Sequence, residues 1–494
     1  RRAIDRREQR RGGLLRMKLA TCVLSAAITG AAVCGSTLCN VRLQADAAKV
    51  DPDGTTPLHW AVRADDIGAV KRLLLDGANA KATNRYGVTP LALAAESGDA
   101  AMIDVLIAAG ADARASLSNG QTMLMIASRT GSPAAIRTLV AHGALLNAKE
   151  NVLGETALIW AAADNHADAI AALVQAGADV DLRSNELKFS RRDYGDGKSG
   201  RFTVLPRGGW TPLMYAARQD AREAIRALAA AHANLNATDP DGTTPLAFAI
   251  INAHYDAAAL LLDLGADPNV ADSRGMTPLY AAVDMHTLDE TPGRPAPKPT
   301  DALDSLGMME RLLAKGANPN ARLTATILER VHNNGDPVLS EGATPLMRAA
   351  RKADAAAMRI LLEHGADTSA VMKGGVTAVM IASGFGGQVR FAEYNPHSGT
   401  ESDAADCVRL SLTHGADINA ANDAGQTALH IAAAQRGEAF IRFLAANGAR
   451  LDAKDKQGHT PLDVAMGIGG GRGRGRSPGA REPIAALLRE LASK

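Results

Sequence analysis

The chain has few cysteines, few aromatic residues and almost no net charge. Four cysteines in 494 residues are too few for a disulfide scaffold of this size. Aromatic residues make up 3% of the chain, which argues against a β-sandwich or an aromatic-lined sugar platform. A formal charge of +1 argues against a strongly basic nucleic-acid binder. There is no H-E-x-x-H, no G-x-S-x-G and no paired C-x-x-C. Gly197-Lys198-Ser199 ends like a phosphate loop, but Arg192 stands where the first glycine belongs and no apolar strand precedes it. No cofactor is implied. What the chain does have is 46% hydrophobic residues, rich in Ala and Leu, enough for helices packed closely through small side chains.

The first 50 residues differ from the rest. Residues 1–16 carry seven Arg against Asp5 and Glu8. From Met17 the order is that of a secretory signal peptide: Lys18, then an uncharged, mostly apolar stretch over residues 19–35, then Ala45-Asp46-Ala47 as a cleavage site. Val33-Cys34-Gly35 offers an earlier one. The expectation is a start at Met17, with residues 1–16 an upstream extension, a signal peptide over 17–47 and a secreted or periplasmic mature chain. The apolar stretch is short of the ~20 residues of a spanning helix, so no stable membrane span is expected after cleavage. The alternative is an anchor made by an uncleaved signal or by lipidation at Cys22, Cys34 or Cys39. Cleavage after Ala47 leaves 45 Lys and Arg against 50 Asp and Glu, a charge of −5, with Cys407 as the single remaining cysteine. No internal disulfide can then form, so stability must come from packing.

A repeat fills the rest. Gly54-Thr55-Thr56-Pro57-Leu58-His59-Trp60-Ala61 returns from Gly87, Gly120, Gly154, Gly209, Gly242, Gly275, Gly342, Gly375, Gly425 and Gly458. The period is 33 residues, lengthened in three places. A second landmark trails the first, as in Asp76-Gly77-Ala78-Asn79 and Leu264-Gly265-Ala266-Asp267. The unit reads as helix, turn, helix, hairpin. Thr56 caps a helix that opens on Pro57, where the missing N–H costs nothing. Leu58, Ala61 and Val62 recur at helical spacing, and Val70, Leu73 and Leu74 mark one face of a second helix. Gly77 supplies the left-handed residue that ends it.

Thr56 to Ala61 and Thr427 to Ala432 carry T-P-L-H-x-A, with Ala428 in place of Pro in the second. At this period the sequence resembles the ankyrin-repeat family over residues 51–494. The resemblance implies an all-α solenoid of about eleven helix-turn-helix-hairpin repeats, curved, with loop insertions and a concave binding face. It also implies a polar terminal cap, which the diverged repeat from Gly458 onward supplies. Met123, Ala157, Ala378 and Ala428 replace the proline, so those helix starts are expected to be slightly looser within the same fold.

Insertions break the period at about 186–208, 286–304, 324–341, 385–403 and 467–479. Their Pro- and Gly-rich stretches read as loops without cores of their own. The GRGRGR run at residues 471–476 reads as a solvated loop rather than an RNA contact. The repeat template accounts for most histidines: His59 and His430 can bond neighbouring backbone, and His142, His232, His364 and His414 end second helices. His286, His332 and His397 fall in insertions. A metal or catalytic site would need them to converge with acids such as Asp284, Glu329 or Glu393.

The resemblance places binding on the hairpin tips and first-helix ends. The candidates there are Arg63, Arg129, Trp210, Arg218, Gln219, Met276, Asp284, Met285, Arg351 and Lys352. Trp210 and Arg218 share a repeat and belong to residue types enriched in binding hot spots. Trp210 can instead pack beneath the first insertion. Trp60, Trp160, Tyr215 and Phe248 hold the position that packs between repeats and read as core. The expected function is a non-enzymatic, exported scaffold that binds a protein partner, not nucleic acid, and needs no second copy to fold. The alternative is an enzyme or metal binder with its site in the inserted loops.

Overall fold

A computed structural model describes residues 50–187, 207–287, 301–327, 336, 338–386, 400–468 and 481–493. The expected signal segment, His332, His397, half of the 324–341 insertion and most of each other insertion lie outside the described residues.

The described residues form 22 helices in eleven pairs. The first helices are α1 (Pro57–Arg63), α3 (Pro90–Ser97), α5 (Met123–Thr130), α7 (Ala157–Ala163), α9 (Pro212–Arg218), α11 (Pro245–Ile251), α13 (Pro278–His286), α15 (Pro345–Arg351), α17 (Ala378–Ala382), α19 (Ala428–Gln435) and α21 (Pro461–Ala465). Their partners are α2 (Ile67–Leu75), α4 (Ala100–Ala108), α6 (Pro133–Ala141), α8 (Ala167–Gln175), α10 (Arg222–Ala230), α12 (Tyr255–Asp263), α14 (Ser305–Ala314), α16 (Ala355–Glu363), α18 (Glu401–Thr413), α20 (Glu438–Ala446) and α22 (Glu482–Ala492).

Local chemistry sets these boundaries. Thr89 is extended and its hydroxyl accepts the Ala92 amide at 3.1 Å, with Pro90 as the first helical residue. The cap persists where proline is absent: Thr122 accepts from Met125 at 3.2 Å and Thr156 from Ile159 at 3.3 Å. Gly77 stands at φ +89° just past α2, where a Cβ would be strained.

Packing follows from one column of small residues. Ala61, Ala94, Ala127, Ala161, Ala216, Ala249, Ala282, Ala349, Ala382, Ala432 and Ala465 occupy the same place in the eleven first helices, and all are buried. They let each first helix lie against the next. Second helices stack likewise through residues such as Ile103, Leu106, Ile136 and Leu139. The contacts run from neighbour to neighbour and continue across the long connections, from α7 to α9, α13 to α15 and α17 to α19. His59 and His430 tie repeats together as expected: their Nε2 atoms lie 3.0 Å from the Val88 carbonyl and 3.1 Å from the His459 carbonyl.

Two short strands, β1 (Glu186–Leu187) and β2 (Arg207–Gly208), pair antiparallel at the foot of the first long connection. The Cys407 side chain is fully buried in α18, where the matching second-helix position holds Ala135 in α6 and Ala224 in α10. Burial pushes its thiol well above the ordinary range.

Candidate protein-binding face

The hairpins are held by their own acids. Asp239 Oδ1 accepts the Asp241 and Thr243 amides at 3.0 and 2.7 Å, and Asp272 Oδ1 accepts the Arg274 and Met276 amides at 2.8 and 2.9 Å. Each hairpin thus presents the residue before the capping threonine beside the first helix. In the fifth repeat that residue is Trp210.

The Trp210 ring is half-buried. It meets Tyr215 and Phe248 edge-on, with centroids 5.4 and 5.0 Å away. The Arg218 guanidinium lies over the ring at 5.0 Å, and the indole N–H donates to Asp239 Oδ2 at 3.3 Å. The backbone of Trp210 pairs with Ser184 just before β1. The ring therefore packs on its own helix and the next repeat, while its main chain closes the foot of the first insertion. One repeat earlier the pattern recurs. Arg129 lies over Trp160 at 5.1 Å, and the Trp160 N–H donates to Glu155 Oε2 at 2.9 Å. The Tyr215 hydroxyl donates to the same carboxylate. Burial raises the Glu155 carboxyl above its usual value, with the Tyr215 and Trp160 bonds opposing that shift. Burial and the nearby Glu155 charge raise the Tyr215 phenol. Arg129, Arg218, Gln219 and Arg63 are all exposed.

The later repeats are built differently. Asp284, Arg348 and Lys352 are buried, Arg348 at 5% exposure. Arg348 forms an ion pair with Asp284, and its Nη1 donates to Thr287 at 3.3 Å. Burial works to lower the guanidinium pKa, but the Asp284 carboxylate, together with Tyr280 and Asp336, holds the group above its ordinary value. The nearby Tyr280 hydroxyl is fully buried and has no hydrogen-bond partner among the described residues. Arg351 pairs with Asp336 at 2.9 Å and reaches the Phe385 carbonyl at 3.3 Å, linking two inserted segments. Val338 lies directly against Gly386, where an added Cβ would come within 2.4 Å of it. His286 Nδ1 lies 2.6 Å from the buried Asp354 carboxylate.

The sequence-based candidates therefore divide. Trp210, Arg218, Arg129, Gln219 and Arg63 lie on an accessible face. Met276 does not: it is 4% exposed and packs in the core, because its backbone is held inward by Asp272. Asp284, Arg351 and Lys352 are corrected in the same way, since their charges are committed inside the fold. Met285 is half-buried against the core. Trp160, Tyr215 and Phe248 are buried as expected, but Trp60 is 48% exposed. It belongs to the first described repeat and has no preceding described repeat to cover it; its N–H donates to Asp51 at 2.8 Å. Sequence reasoning missed Glu155 as an aromatic anchor and Arg348 as a buried ion-pair partner. An arginine in a column otherwise filled by residues such as Leu93, Ile126 and Phe248 was the available signal for Arg348.

Among the described residues, no group of three or more His, Cys, Asp or Glu side chains could hold a metal ion. Among them no helix is long and apolar enough to cross a membrane.

A family model of ankyrin repeats in three copies matches residues 23–116, 91–184, 199–272, 231–289 and 397–469, and a single-repeat model matches 341–373. The first match begins upstream of residue 51, the boundary read from the repeat itself. No curated protein matches the sequence significantly. Among solved structures, the chain is similar to the crystal structure of the ankyrin repeat domain of Bcl-3, described as a unique member of the IkappaB protein family. The identity is 27%, the match covers 46% of this chain and 94% of that one, and the TM-score is 0.38. The family models together span more than half of the sequence, and the chain belongs to the ankyrin-repeat family.

Proposed function

We propose that this ankyrin-repeat scaffold binds a protein partner on the face made by the hairpins and first-helix ends of its third to sixth repeats, and that it does so without catalysis. Ankyrin repeats mark a protein–protein interaction scaffold. One observation carries the finer reading: two exposed arginines, Arg129 and Arg218, lie over tryptophan rings, and the second of these rings, Trp210, also meets Tyr215 and Phe248. Tryptophan and arginine dominate binding hot spots, and here the rings are already ordered, which lowers the entropic cost of association.

The test is a cross-linked pull-down with the full chain beside a Trp210→Ala, Arg218→Ala variant. A protein enriched on the wild type and lost from the variant is expected. Equal enrichment on both would remove this face from the reading. Export is part of the same proposal, resting on the order Lys18, apolar stretch, Ala45-Asp46-Ala47. Terminal sequencing of the protein from envelope and medium fractions should begin at Ala48; a chain retaining Met17 would overturn cleavage.

A further inference from the structure

We infer that Arg129 and Arg218 read carboxylates, so that the segment seated on this face is an extended, acidic stretch of the partner protein; this rests on the binding reading above. A guanidinium held over an indole is partly ordered and keeps an N–H edge for a partner. That edge matches a carboxylate through two parallel hydrogen bonds, and ordering the arginine beforehand lowers the cost of forming them. Among the described residues neither guanidinium has an ion-pair or hydrogen-bond partner.

Of the neighbouring acids, Asp239 is buried and Glu155 half-buried. Glu155 accepts from the Trp160 indole and the Tyr215 hydroxyl, and Asp239 accepts from two amides and the Trp210 indole. They order the rings on which the arginines rest and do not neutralise them by direct pairing. The same first-helix position is Arg63 in the first repeat and Glu96 in the second, both exposed, so arginine outnumbers glutamate along this edge. The later repeats supply an internal control. There Arg348 and Arg351 are matched by Asp284 and Asp336 of the chain itself. Arg409, which also lies over a ring, is paired with Asp406, whereas Arg129 and Arg218 over their tryptophans have no such acid among the described residues.

A protein segment fits better than a nucleic acid. Stacking bases would need open ring faces, but Trp160 and Tyr215 are buried and Trp210 is covered by Arg218. A few arginines on a chain of formal charge +1 also make a poor phosphate track.

The experiment is selection of a random dodecapeptide library on the full chain, with Trp210→Ala and Arg129→Gln, Arg218→Gln variants in parallel. Variants are first checked for wild-type circular dichroism and thermal unfolding. Peptides rich in Asp and Glu should be recovered on the wild type. Their affinity should fall by about tenfold or more on the double arginine variant, and fall again as salt is raised. Enriched peptides without excess acid, or acidic peptides bound equally by the double variant, would overturn the carboxylate reading and leave the scaffold reading standing. No enrichment over Trp210→Ala would overturn both. Oligothymidylate bound more tightly than any peptide, and lost in the double variant, would assign the arginines to nucleic acid instead.

Discussion

Repeats three to six and repeats seven to nine share one backbone plan, yet they use charge in opposite ways. In the earlier group Arg129 and Arg218 stand exposed on tryptophan rings. In the later group Arg348 and Arg351 are internal, paired with Asp284 and Asp336. The difference lies in the partners supplied: Asp284 comes from the preceding first helix and Asp336 from an inserted segment. Asp336, Val338 and Phe385 belong to inserted segments, and they meet over the ends of α15 and α17. The repeat fixes where a side chain emerges, and the residues packed beside it decide whether that place faces solvent.

The comparison can be broken by mutation. The largest effect is expected from Asp284→Ala, which strands the Arg348 charge in the core. Denaturant unfolding should show a loss of about 3–5 kcal/mol, and a loss below one would mean that Arg348 finds water. Arg351→Ala should cost less, about 1–3 kcal/mol, with faster amide exchange near Val338 and Phe385; unchanged exchange would show that Arg351 does not hold those segments. Tyr280→Phe removes a buried hydroxyl that has no partner among the described residues and should be neutral or stabilising by up to about 1 kcal/mol. Marked destabilisation would reveal a partner for that hydroxyl. The smallest effect is expected from Arg218→Gln, within about 0.5–1 kcal/mol of wild type. A larger loss would place Arg218 with the structural arginines and erase the contrast.

Much of the fold was legible because its signals are local. Thr56 and Pro57 begin a helix by capping chemistry, Gly77 ends one by backbone freedom, and His59 bonds the next hairpin. The repeated alanine fixed which face of the first helix packs. The candidate site was legible only in part. Trp210 and Arg218 share a repeat, and they do touch. The fate of Asp284 was not readable, because its partner Arg348 lies 64 residues away beyond two inserted segments. Met276 shares its place in the repeat with Trp210, yet one is core and the other half-buried. Periodicity names a column, and the neighbours in space decide what each member of it does.

Cys407 turns the ninth repeat into a clock. Its sulfur sits on the inner side of α18, sealed by packing and kept protonated by burial. A maleimide can reach it only when that helix lifts away. The rate at which the Cys407 peptide gains mass therefore measures how often this part of the stack opens, under native conditions and without any engineered label. In a molecule whose repeats lean only on their neighbours, that rate can be compared directly with global unfolding, to learn whether the stack breathes in pieces or gives way as a whole.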